Sequence, residues 1–156
     1  MGGANTVTVT FTVNTQSVVM LAEFSGMATA SSLDVTFGGT GTSTAIASAT
    51  SATLAQADEL IIGVGGHWSS TATITPNSPA TEIGESESAS TGMPGWMAYK
   101  IVAATTATTI AWTGGASTDF AVEAAAFKAA AGGGGPVALP PKAKIIRQAV
   151  SRAAIR

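Results

Sequence analysis

Leu60-Ile61-Ile62-Gly63-Val64, entered through Asp58-Glu59, is the stretch on which the fold turns. A short apolar run rich in branched residues and bounded by turn signals is the pattern of a strand buried on both faces. It predicts a central strand. On its C-terminal side, Thr71-Ala72-Thr73-Ile74-Thr75 alternates before a Pro76-Asn77-Ser78-Pro79 turn, and Trp96-Met97-Ala98-Tyr99-Lys100-Ile101-Val102 reads as a further strand. An acidic loop holding Glu82, Glu85 and Glu87 is expected between them. Thr108-Thr109-Ile110-Ala111-Trp112-Thr113 and Phe120-Ala121-Val122-Glu123-Ala124-Ala125-Ala126-Phe127 form the last pair, a hairpin turning at Gly114-Gly115-Ala116-Ser117, with Trp112 in the core.

On the N-terminal side, Leu33-Asp34-Val35-Thr36-Phe37 alternates, and residues 45–54 form a Ser/Ala/Thr stretch better suited to a pleat than to a helix. Val18-Val19-Met20-Leu21-Ala22-Glu23-Phe24 predicts a deeply buried strand. Thr6-Val7-Thr8-Val9-Thr10-Phe11-Thr12-Val13 alternates with period two, setting Val7, Val9, Phe11 and Val13 on one face. Eight or so short strands without a convincing long helix predict an all-β antiparallel sandwich over residues 1–131. A shift of 103 positions lays Thr6, Val7 and Val9 on Thr109, Ile110 and Trp112, and Phe24 on Phe127. The echo has three readings: chance, a piece of a tandem array, or two similar hairpins side by side in one domain. The last is preferred, because a lone half-repeat leaves an open edge.

Charge divides the chain. Residues 1–131 hold nine acids against Lys100 and Lys128, a net −7, whereas the last fifteen residues carry five cations and no acid. Between them lie a flexible tetraglycine and a stiffer Pro-containing stretch, residues 132–141. Residues 142–156 have helical periodicity: Ile145, Ile146, Ala149, Val150 and Ala153 share one face, while Lys144, Arg147, Gln148, Ser151 and Arg152 occupy most of the rest. Fifteen residues are marginal as an isolated helix. The tail reads either as a frayed solvated end or as a segment that folds on docking, with Lys142, Lys144, Ile145, Ile146, Arg147, Val150, Arg152 and Arg156 as its binding residues. It has no aromatic residue and the body is acidic, which argues against nucleic acid. No apolar run approaches the roughly 18 residues of a membrane span. The N-terminus has no basic region followed by an apolar core, so synthesis without a signal peptide is expected. The chain has no cysteine, which excludes disulfides and thiolate metal sites.

Candidate chemistry is sparse. Gly63-Val64-Gly65-Gly66 follows a strand, as phosphate loops do, but neither a helix start nor a Lys-Ser/Thr pair follows it, so a tight turn is the better reading. His67 is the one histidine, no serine sits in a Gly-x-Ser-x-Gly elbow, and a turn histidine packed on Trp68 is expected. The spacing of Glu82, Glu85 and Glu87, even with Asp119 or Asp58, matches no calcium loop. Glu23 and Glu123 are the carboxylates that a glycan-processing enzyme would use. Trp68, Trp96 and Tyr99 are the aromatics suited to stacking on a sugar ring, against the alternative of burial. No cofactor is implied, and no metal.

Ala22-Glu23-Phe24-Ser25-Gly26, Leu33-Asp34, Gln56-Ala57-Asp58-Glu59-Leu60-Ile61-Ile62-Gly63 and a closing Ala126-Phe127-Lys128 together resemble the jelly-roll or lectin-like β-sandwich modules of tailed-bacteriophage structural proteins. The resemblance covers most of residues 5–128, and the Gly-rich linker with its basic tail is similar to the ends of some such proteins. It implies a non-enzymatic virion protein, a capsid decoration or tail-associated subunit, made in the host cytoplasm. Its partners would be other capsid or tail subunits and further copies of itself, with a host-surface glycan as a further ligand. It supplies no motif from which a catalytic or ligand residue could be transferred. The expectation from the sequence is therefore an assembly protein anchored by its tail; the alternative is a carbohydrate-binding module.

Overall fold

A computed structural model of the chain describes residues 7–10, 18–68, 73–86 and 94–131, together with the backbone of 144–146. Within these residues the protein is all-β and antiparallel, with no helix. Eight strands run in order: β1 (Val19–Leu21), β2 (Leu33–Ala47), β3 (Glu59–His67), β4 (Ile74–Pro76), β5 (Thr81–Ser86), β6 (Gly95–Val102), β7 (Ala111–Phe127) and β8 (Lys144–Ile146). Six of them form one sheet in the order β2-β7-β3-β6-β5, with β4 joined to β7 off this path; β1 and β8 form a separate pair. The stretch at residues 60–64 is indeed central, since β3 is hydrogen-bonded to β6 on one side and to β7 on the other.

The sheet folds over on itself because β2 and β7, the two longest strands, bend together. Val35 to Ser43 pair residue for residue with Ala126 to Thr118, but Ala45 then lies opposite Thr113. Four residues of β7 therefore face a single residue of β2, a surplus that bends a ribbon sharply. Past the bend, Ile46 and Trp112 return over the sheet, and the Ala49 N–H donates to the Gly38 carbonyl at 2.9 Å. The expected hairpin at residues 114–117 is thus one continuous strand. Its Gly-Gly signal marks a bend that both strands share rather than a reversal of the chain.

The core lies between this folded-back arm and the face of the main sheet. Ile46, Ile74, Ile110 and Trp112 come from the arm and its neighbours; Phe37, Ile61, Trp96, Ala98, Val122, Ala124 and Ala126 come from the sheet. Trp112 is in the core, as its alternation with Ile110 predicts. The glycines of β3 make room for it. A Cβ on Gly63 would stand 2.7 Å from the Trp112 ring and 2.8 Å from Ile110, and one on Gly65 would stand 2.5 Å from the Trp96 ring. Gly63-Val64-Gly65-Gly66 is therefore not the turn expected from its composition. It is a strand whose inner side chains were given up to two indoles.

Several other boundaries differ from expectation. Glu82 and Glu85 lie in strand β5 rather than in a loop; Glu87, Thr71 and Ala72 fall outside the described residues. Of the Val18–Phe24 stretch only Val19–Leu21 is a strand, and it is half-buried rather than deep. The strand read over residues 45–54 ends at Ala47. Beyond Ala47 the chain is held instead by reciprocal bonds: Ser48 N–H to Ile110 O at 3.0 Å, and Ile110 N–H to Ser48 Oγ at 3.1 Å. Val7 to Thr10 belong to no strand, and Val7 and Val9 are exposed. Alternation makes a segment competent to pair, but a strand also needs an edge to pair with. Side-by-side hairpins, the preferred reading of the internal echo, are not formed by the described residues.

Candidate functional site: the strapped outer face

Alternation along β3 sends Ile61, Gly63, Gly65 and His67 inward and Ile62, Val64, Gly66 and Trp68 outward. On the outward side Ile62 and Gly66 are half-buried, Val64 is exposed and Trp68 is 71% exposed. The register extends this outer surface sideways. Gly38, Glu123, Val64 and Met97 form one row across β2, β7, β3 and β6; Thr40, Ala121, Gly66 and Gly95 form the next. The second row consists of small residues, so little side chain rises from it. The Trp68 N–H donates to the Asp119 carbonyl at 3.1 Å, and the Thr42 hydroxyl donates to an Asp119 carboxylate oxygen at 2.5 Å. The far end of the surface thus joins the Trp68 backbone, the Asp119 carboxylate and the Thr42 hydroxyl in one local network.

β1 lies over this face as a strap. Val18, Val19 and Met20 on one side, with Val64, Met97 and Glu123 on the other, line a groove of about 470 Å³. Phe24 continues the strap and meets Tyr99 edge to face, with ring centroids 5.6 Å apart. The chain returns to the strap at its other end: β8 pairs antiparallel with β1, Val19 opposite Ile146, Met20 opposite Ile145 and Leu21 opposite Lys144. The helical periodicity of residues 142–156 is therefore not realised at residues 144–146, which are extended. Adjacent branched residues at 145 and 146 favour a strand once an edge is offered, and an isolated helix of this length has little stability with which to compete. Of the remaining tail residues, Lys142, Arg147, Val150, Arg152 and Arg156 lie outside the described residues, as do residues 132–141.

The aromatics singled out by sequence are separated. Trp96 is 2% exposed and sits in the core, edge to face with Trp112 at 6.1 Å, so it presents no surface to a sugar. Its place on the inward side of β6, over Gly65, is the physical reason. Tyr99 is half-buried under Phe24 and lies opposite Ile62, six residues from Trp68 along β3, or about 20 Å at ~3.3 Å per residue. Trp68 and Tyr99 therefore do not form one platform. Glu23 and Glu123 are both exposed.

Two ionisable groups are buried. His67 does not pack on Trp68, because neighbours in a strand point to opposite faces. It stacks instead on Trp96, at 5.4 Å and 34°, and is 4% exposed. Neither ring nitrogen has a hydrogen-bond partner among the described residues, and burial holds its pKa below the ordinary histidine range. Glu59 is fully buried at the other end of β3. Burial raises its pKa; the Gln56 N–H, donating to Oε1 at 3.0 Å, opposes this, and the carboxylate of Asp34 adds to the rise. Asp34 in turn accepts from the Ala55 N–H at 2.9 Å. Two consecutive backbone N–H groups are thus fastened by two neighbouring carboxyls, which fixes the turn leading into β3, where Asp58 has a φ of 60°. The one sequence feature that sets Glu59 apart from a solvated acid is its place at the mouth of an apolar strand. No three His, Asp or Glu side chains among the described residues converge as metal ligands do.

Comparison with protein families, curated proteins and solved structures finds no match.

Proposed function

We propose that this chain is a non-enzymatic structural module of a large assembly, a capsid-decoration or tail-associated protein of a tailed-bacteriophage particle. Its body would be an antiparallel β-sandwich of jelly-roll type and its tail the anchor. What supports this reading is the division of charge between a body at −7 and a tail with five cations; β8 is paired with this chain's own β1, so anchoring to a neighbour requires that pairing to open. A segment that binds in this way can recognise an exposed edge on a neighbouring subunit, and the opposite charges of body and tail favour such contacts. The partners in this reading are other virion subunits and further copies of the chain, without nucleic acid or membrane.

Deleting residues 132–156 tests it. The truncated chain should fold but fail to enter particles when expressed beside the full-length chain, as read by mass spectrometry of purified particles. Normal incorporation of the truncated chain would end the anchoring reading.

A second reading, a carbohydrate-binding module, is favoured by Trp68 alone, a 71% exposed residue whose backbone N–H meets Asp119. Flat aromatic faces flanked by polar groups bind sugar rings. A glycan array probed with the native chain and with Trp68→Ala separates the readings: binding lost in the variant supports this one, and no binding by the native chain removes it.

A further inference from the structure

The strand β8 reaches β1 from the far end of the chain, across the twelve residues 132–143. We propose that this pairing is exchangeable between molecules, so that the partner recognised by the tail is the β1 strap of a second copy of this chain. The proposal rests on the anchoring reading and supplies its partner.

Three observations bear on it. First, β1 and β8 form a sheet of their own, apart from the six-stranded one, with only three residue pairs. A two-stranded ribbon is marginally stable by itself, so β8 can leave β1 without disturbing the core. Second, twelve residues span up to ~40 Å when extended, about the diameter of a body this size. A tail that can return to its own strap can equally meet the strap of an adjacent molecule, and exchanging an identical element between copies creates no new type of contact. Third, charge does not forbid it: the sequence gives the tail five cations against a body at −7, and the strap of either copy is flanked by exposed Glu23 and Glu123.

The same linker sets the condition for exchange. Twelve residues of chain tie β8 to its own body, and a short tether of this kind corresponds to an effective concentration in the millimolar range. Pairing within one molecule therefore dominates in dilute solution. Pairing between molecules takes over where copies are crowded, as they are on the surface of an assembly.

The chain has no cysteine, so the register can be tested by installing two. Met20 and Ile145 are Cα partners, and directly opposed positions in an antiparallel pair lie within disulfide range. The full-length Met20→Cys/Ile145→Cys chain is oxidised at concentrations from ~10 μM to ~1 mM, spanning the effective concentration of the tether. Products are read by non-reducing electrophoresis and intact mass. A Ser25→Cys/Ile145→Cys chain, with its first cysteine exposed and out of register, measures random collision. The expected result is an intramolecular disulfide at the low end and reducible interchain species at the high end, several-fold above the control. Intramolecular product alone at every concentration, interchain product no greater than in the control, or no disulfide at all would each overturn the proposal. The deletion test keeps the two ideas apart. Loss of particle incorporation without interchain disulfide means that the tail anchors to a different protein. Interchain disulfide with normal incorporation of the truncated chain means that exchange occurs but is not the anchor.

Discussion

Replacing Gly63 by alanine puts a methyl group where no space exists for one. Its Cβ would lie 2.7 Å from the Trp112 ring and 2.8 and 3.0 Å from two atoms of Ile110, up to ~0.8 Å inside the ~3.5 Å at which carbon atoms make contact. Both neighbours are about 1% exposed and enclosed on all sides, so neither can swing into solvent. Overfilling a packed core by one methyl costs about 1–3 kcal/mol, and removing a strand glycine returns about 0.5–1 kcal/mol. The expected net loss is about 1–2 kcal/mol, a fall in Tm of roughly 3–6 °C. Gly66→Ala provides the internal comparison. It lies three residues along the same strand on the outer side, and its nearest contact would be Pro94 O at 3.5 Å, an ordinary distance. That variant should be neutral or up to about 1 kcal/mol more stable, through the smaller entropy of its unfolded chain. Urea denaturation followed by the fluorescence of buried Trp96 and Trp112 measures both. If Gly63→Ala is as stable as the native chain, the folded-back arm does not lie on β3. If Gly66→Ala is as damaging as Gly63→Ala, these glycines serve backbone conformation and the turn reading is restored.

Glu59→Gln keeps an acceptor for the Gln56 N–H and removes a titration. Because the folded pKa of Glu59 is raised, its contribution to stability is complete below the ordinary value of about 4.3 and is lost as the pH climbs through the folded value. The native urea midpoint should therefore fall relative to the variant on raising the pH from about 4; parallel profiles would show that Glu59 is solvated. His67→Phe tests the opposite slope. A buried neutral imidazole with a lowered pKa destabilises the fold as the pH drops below about 6.5, where the unfolded chain takes up the proton. The native chain should lose stability there relative to the variant, and an unchanged difference across that range would place the ring in water. Ser48→Ala leaves the buried Ile110 N–H without its acceptor and should cost about 1–3 kcal/mol by the same urea titration; no loss would mean that this N–H is otherwise satisfied.

The strands at residues 33–37, 60–64 and 96–102 were legible because each is set by its own apolar pattern. Trp112 was legible as core for the same reason. What failed depended on partners distant in the chain. The glycines of β3 look like a turn until the indoles of Trp96 and Trp112 are placed over them. His67 looks like a companion of Trp68 until strand alternation separates the two and the β3–β6 register brings Trp96 alongside. Gly114-Gly115 looks like a reversal because a bend shared by two paired strands needs the same permissive residues as a turn. For the outer face, sequence supplied Trp68 and Tyr99, which the fold sets about six residues apart along the sheet, and also Trp96, which the fold buries in the core. The row of small residues on this face is spread over four strands and forms no motif in any of them.

The tail shows most clearly why a sequence pattern does not fix a conformation by itself. Along residues 142–156 the apolar positions repeat with a helical period, yet Ile145 and Ile146 lie side by side, and both carry branched Cβ atoms that restrict rotamers in a helix and suit a pleat. Neither preference amounts to more than a fraction of a kcal/mol per residue, so what the segment meets decides its form. Beside β1, an edge with Val19, Met20 and Leu21 in register, backbone pairing supplies what fifteen residues cannot supply for themselves as a helix. The body has the complementary character. It is closed inside by indoles packed onto glycines and thinly covered outside, where a three-residue strap crosses an exposed valine and an exposed acid. A strand edge seeking a partner and a peptide that becomes a strand on meeting an edge lie at opposite ends of one chain. Their joint is long enough that pairing within a molecule and pairing between molecules differ by concentration rather than by geometry.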